Sequence, residues 1–142
     1  VEIRFLAAAC SWVLASYIRF QEALVENGFV ETVLDLITDE ENIAWQAMGT
    51  LRNLVIKNET VHQIIIDGGG LLKFKAAVEE GSTVSERTQQ LIIQTLFVIT
   101  STNNSFKNTL REEDLFSPVL KKLETTKNPD LAVKILQLMV NL

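Results

Sequence analysis

Cysteine, proline and histidine are nearly missing from this chain of 142 residues, which holds one, two and one of them. A single thiol, Cys10, excludes an internal disulfide and suits a reducing compartment. So few prolines, with little strand-like alternation, leave helices free to run, and an all-α fold is expected. One histidine, His62, supplies neither a metal cage nor a catalytic dyad, and a surface place on a short helix is expected for it. Positive charge is also short: 13 Lys and Arg against 18 Asp and Glu leave a net −5. No basic face is evident, so nucleic acid is not an expected partner. Long hydrophobic runs are absent too. The most apolar stretch, residues 5–18, falls short of the about 20 residues that a membrane span needs. It does not read as a leader either. It is expected to be a buried helix, with no membrane partner.

What is present is a globular composition, 47% hydrophobic and 22% charged, enough for one domain with a sizeable core. The chain begins at Val1 and helical pattern starts at once, which reads as a piece of a longer protein.

The organising stretch is residues 42–57. Ala44, Ala47, Met48, Leu51, Leu54 and Val55 recur at the spacing of one helix face. Shifted back by 41 residues they become Ile3, Leu6, Ala7, Cys10, Val13 and Leu14, all apolar. Shifted forward by 45 they become Gln89, Ile92, Ile93, Leu96, Ile99 and Thr100, an apolar centre with polar ends. A further 43 gives Ala132, Ile135, Leu136, Met139 and Leu142. Two shorter amphipathic segments keep the same offsets. Val61 and Ile65 match Phe20 and Leu24 upstream, and Phe106 and Leu110 downstream. Leu71, Phe74 and Val78 match Val30, Val33 and Ile37, and then Phe116, Val119 and Leu123. A period of this length with three segments in one register is the mark of a helical solenoid.

The punctuation agrees. Asn27-Gly28 and Gly68-Gly69-Gly70 fall where a helix must end and the backbone needs positive φ. The third unit has Glu113-Asp114 there and must turn without glycine. Asn128-Pro129-Asp130 reads as a helix start, and Ser82 or Ser85 is the expected cap of the preceding long helix. The expected map has long helices near 2–18, 42–57, 84–101 and 129–142. Short pairs lie near 20–27 and 29–38, 59–67 and 70–80, and 104–112 and 115–126. Repeat boundaries then fall near 19, 58 and 103 in a single domain, 1–142.

Leu51-Arg52-Asn53-Leu54 and Met139-Val140-Asn141-Leu142, with the break Asp67-Gly68-Gly69-Gly70-Leu71, resemble the armadillo repeat family, whose long third helix commonly ends in leucine-x-asparagine-leucine. The resemblance implies a right-handed α-solenoid of about three and a half three-helix repeats. It implies a concave groove lined by the third helices, where the asparagine bonds the main chain of an extended peptide. Carried over by position, that role falls on Asn53 and Asn141, while Trp12 and Val98 occupy the equivalent places and cannot copy it. The nuclear-import branch has a tryptophan four residues before the asparagine. Here those positions hold Ala8, Gly49, Gln94 and Gln137, so its ladder is absent and basic localisation peptides are not the expected ligand.

Trp45, Gly49, Arg52 and Ile56 form a second stripe, roughly 100° round the helix from the first, and Asn53 lies just beyond it. An aromatic, a glycine, a guanidinium and an amide along a partly open face suit a peptide groove. Trp45, Gly49, Arg52, Asn53, Gln94, Gln137 and Asn141 are the candidate partner-binding residues. No catalytic, cofactor or metal residue is expected. Cys10, aligned with Leu51, is expected to be a buried inert thiol. Gly68-Gly69-Gly70 lacks the lysine and hydroxyl of a phosphate loop. The acidic clusters Asp39-Glu40-Glu41 and Glu112-Glu113-Asp114 lack the spaced ligands of a calcium loop and read as solvated. The sequons at Asn58 and Asn103 are short enough to arise by accident.

The expected function is a non-enzymatic interaction scaffold in the cytoplasm, with nuclear or cytoskeletal association open, binding a protein or peptide segment. Two alternatives stand beside it. One is a self-assembly module, associating through apolar repeat ends within a cytoskeletal or centriolar scaffold. The other is a regulatory adaptor or co-chaperone.

Overall fold

A computed structural model describes residues 2–142, and among them there are ten helices and no strand. The long helices are α1 (Glu2–Ala15), α4 (Glu41–Leu54), α7 (Glu86–Thr100) and α10 (Pro129–Asn141). Between them lie the short pairs α2 (Ile18–Glu26) and α3 (Phe29–Leu36), α5 (Glu59–Asp67) and α6 (Gly70–Val78), and α8 (Asn104–Glu112) and α9 (Phe116–Thr125). Successive long helices pack on one another, α1 on α4, α4 on α7 and α7 on α10, while α3, α6 and α9 each pack against the long helix that follows. Two layers result, a row of long helices and a covering of short ones, with one continuous core between them. None of the helices is long and apolar enough to cross a membrane.

The turn chemistry explains the boundaries. Gly28 and Gly69 sit at φ +75° and +70°, which glycine adopts without steric cost. In the last unit Asp114 takes the same left-handed region at φ +49°, an aspartate tolerating it better than most residues. Gly70 has a different reason: a Cβ there would lie 2.7 Å from Ile65 Cγ2 and 2.8 Å from its carbonyl oxygen. Asn58, Ser85, Asn103 and Asn128 cap α5, α7, α8 and α10 by accepting backbone N–H bonds. The asparagines of both sequons are therefore helix caps.

The shared stripe is buried on α4 and, through Ile92, Ile93, Leu96 and Ile99, on α7. Its polar ends on α7 are buried as well. Gln89 Nε2 donates to the Ala77 carbonyl at 2.9 Å and the Thr100 hydroxyl to Leu96 at 2.8 Å.

Four expectations need correction. On α1 the stripe is outside: Ile3 is 83% exposed and Leu6 53%, Cys10 is an exposed free thiol, and the buried face is Ala8, Ser11 and Ala15. The sequence holds no short helix pair before α1, so nothing of its own unit covers that face. On α10 Leu136 is likewise half exposed, no further unit following it in this sequence. On α9 Phe116 is 39% exposed. Leu115, at the register position of Gly70, is buried in its place, the glycine-free turn having moved the entry of the helix. Finally, His62 is buried. Its Nε2 lies 2.7 Å from the Val55 carbonyl and its Nδ1 3.1 Å from Asn103 Nδ2. The Asn103 oxygen accepts from the Phe106 N–H at 2.9 Å, which turns the amide nitrogen to the ring. A carbonyl can only accept, so the contact with Val55 calls for a proton on Nε2. His62 joins α5 to α8 and to the end of α4, and its ring meets that of Phe106 edge-on.

Candidate functional site

The face of the long-helix row away from the short helices is the candidate interface. Its centre is a contact that neither residue announces alone. Gly49 is buried because the Trp12 indole of the preceding long helix lies directly on it, where any Cβ would run into the ring. Gly49, a candidate for the partly open stripe, is thus covered by Trp12. Trp12 also meets Trp45 edge to face, with centroids 4.9 Å apart, a favoured geometry for two rings. The Arg87 guanidinium stacks over the Trp45 ring, 4.6 Å from its centroid. Arg87 is held in turn by Glu41, 2.9 Å away, and by the Asn42 amide oxygen at 2.5 Å. Trp12, Trp45 and Arg87 form a ladder across α1, α4 and α7, with both indoles half buried.

The amides divide into two groups. Asn53 Nδ2 donates to Ser16 Oγ at 3.3 Å. Asn141 Nδ2 lies 3.3 Å from the Phe97 carbonyl and 3.4 Å from Thr100 Oγ1. Each asparagine ties its long helix to the end of the preceding one. Gln94 and Gln137, at the register position of Gly49, are half buried and exposed, and they make no hydrogen bond with any described residue. Arg52 is half buried and makes neither an ion pair nor a hydrogen bond with any described residue, while Ile56 is 52% exposed. Neighbouring packed helices stand about 8–10 Å apart, so Gln94 and Gln137 are rungs at the spacing of the repeat.

Of the candidates, Trp45 and Gly49 are brought together, by Trp12, and the aromatic ladder adds Trp12 and Arg87, which sequence reasoning passed over. The available signal was Gly49, a helix-interior glycine where the other units carry Ala8, Gln94 and Gln137. A glycine in that setting marks the close approach of something large.

The described residues hold no group of three or more His, Cys, Asp and Glu that could bind a metal ion. The shifted carboxyls lie elsewhere, where α6 and α9 meet. Glu80 is held below its ordinary value by a hydrogen bond and the charge of Lys121. Asp114 is lowered by hydrogen bonds from the Ser117 side chain and backbone. Both belong to a shallow, solvent-open cleft with Lys75 and Lys122 on its walls.

No model of a known sequence family matches the chain, and neither does the sequence of any curated protein. Solved structures do match its fold. A designed armadillo repeat protein superposes with a TM-score of 0.82 at 19% identity. A second, solved in complex with the peptide (KR)4, gives 0.85 at 21%, and computationally designed armadillo repeat proteins for modular peptide recognition give 0.86 at 20%. Each covers 99% of this chain, whereas the chain spans 58% of each of them. A superhelix of opposite hand could not overlay over such a length, so the ten helices form an armadillo-like repeat solenoid, wound right-handed.

Proposed function

We propose that the chain is a non-enzymatic binding scaffold whose long-helix face receives an extended segment of a partner protein. The observation that carries the reading is the half-exposed Trp12–Trp45 pair, 4.9 Å apart, beside Gln94 and Gln137, whose amides have no partner within the described residues. Aromatic side chains and arginine are the usual anchors of such interfaces. Free side-chain amides can both donate to and accept from the main chain of an extended peptide. The designed proteins of similar fold include one solved with a peptide, which supports a peptide partner here. Binding and not catalysis is the reading because His62, the sole histidine, is committed to two internal hydrogen bonds.

The test is selection from a displayed library of random decapeptides, run on the wild-type chain and on the Arg52→Ala/Asn53→Ala variant. Enriched sequences that bind the wild type and lose affinity for a variant of unchanged helicity support the reading. Equal binding to both rejects it.

A second reading is self-assembly, favoured by the exposed apolar faces at Ile3, Leu6, Val13 and Leu14 on α1 and at Val133, Leu136 and Val140 on α10. Solenoid ends normally carry polar caps. Sedimentation at rising concentration tests it, and a strict monomer throughout rejects it.

A further inference from the structure

We infer that the segment received by this face is acidic, the opposite of what the net charge of −5 suggests. The inference rests on the groove reading above and concerns the chemistry of its occupant. The carboxylates are distributed unevenly. Glu2, Glu41, Glu86 and Asp130 all stand in the first turn of a long helix. Beyond that turn the four long helices contain no Asp or Glu, and the other acidic residues lie on the short helices and in the connecting loops. The same long helices carry Arg4, Arg52, Arg87 and Lys134. Arg4 is paired with Asp39 and Arg87 with Glu41. Arg52 and Lys134 are half buried and pair with no carboxylate among the described residues. The row of long helices therefore carries two uncompensated cations and, past its N-terminal rim, no anion.

Complementarity of charge governs which partner is admitted more than how tightly it binds. A basic segment would meet Arg52, and Glu41, the carboxylate nearest to Trp45 by its contacts, is already paired with Arg87. An acidic segment gives Arg52 a fork partner, places its main chain against Gln94 and Gln137, and lays an apolar side chain on Trp45. A nucleic acid fits less well. Two free cations are few for a polyphosphate, and Asp39, Glu40 and Glu41 stand at the rim.

The chain's two tryptophans, Trp12 and Trp45, both lie in the site, so their emission reports occupancy. Four probes are titrated at low ionic strength: the octapeptides (Glu-Thr)4, (Gln-Thr)4 and (Lys-Arg)4, and an eight-nucleotide oligothymidine. The acidic peptide is expected to bind about tenfold tighter than the neutral one, and the basic peptide weakest of the three. Arg52→Glu is expected to abolish or invert the preference, and added salt to narrow it. Tighter binding of the basic or neutral peptide overturns the charge inference and leaves the groove standing. Tighter binding of oligothymidine overturns the choice of a peptide. No response to any probe overturns the groove and this inference together.

Discussion

On α4 the residues Ala44, Ala47, Met48, Leu51, Leu54 and Val55 are sealed beneath α3, whereas on α1 the matching Ile3, Leu6, Val13 and Leu14 stand in solvent. The two stripes have the same periodicity and similar side chains. The difference lies in the short helix packed on the stripe: α4 has α3 there, and no described helix takes that place on α1. An amphipathic pattern thus records the face a helix offers, and burial follows only where another element meets it.

The comparison breaks most readily at its buried half. Leu51→Ala is expected to destabilise by about 3 kcal/mol, while Leu6→Ala costs less than about 1 kcal/mol. Urea unfolding of the two variants measures both, and equal losses would mean that the α1 stripe is covered in solution. The next largest effect belongs to Gly49→Ala. Alanine is the better helix former by about 1 kcal/mol, but displacing the Trp12 ring costs more, and a net loss of about 1–2 kcal/mol is expected. Tryptophan emission should shift to the red as the indole leaves its seat. Trp12→Ala/Gly49→Ala should then be no less stable than Trp12→Ala alone. His62→Leu leaves the Val55 carbonyl without its donor and should cost about 1.5 kcal/mol in thermal unfolding. His62→Gln should recover most of this, because Gln21 already serves the Ala15 carbonyl in that way at 2.8 Å.

The smallest effect lies among the ion pairs. All four that the described residues form, Arg4–Asp39, Asp35–Lys73, Glu41–Arg87 and Glu80–Lys121, link one unit to the next. Exposed pairs contribute little. Glu80 is the one to follow, since Lys121 lowers its pKa. The stabilising contribution of a lowered carboxyl is present above its unfolded value and is lost as pH falls through the folded one. NMR titration should place the Glu80 midpoint below that of a free glutamate, and Lys121→Met should return it. Glu80→Gln should leave the unfolding midpoint unchanged.

The helices were legible in the sequence because the 3.6-residue period and the turn residues act locally. Asn128 and Ser85 cap as expected, and Gly28, Gly69 and Asp114 adopt positive φ where the breaks required it. What escaped depends on neighbours. His62 looked like a lone polar residue on a short helix, but α8 closes over it and supplies Asn103. Cys10 matched a core leucine by register yet faces outward, since register fixes direction and not company. Gly49 is a candidate in the sequence, while its occupant, Trp12, lies 37 positions earlier in the chain, where no local pattern connects the two. A polar residue in an apolar helix does not declare its side either: Gln94 is half buried without a hydrogen-bond partner among the described residues, whereas Gln89, earlier on α7, is buried against the Ala77 carbonyl.

The seating of Trp12 on Gly49 also means that the four long helices are not interchangeable modules. Were α1 placed ahead of α7 or α10 in a shuffled array, its indole would meet Gln94 or Gln137 and have nowhere to lie flat. The order of the units is thereby keyed into the first joint, as a tongue is cut for one groove.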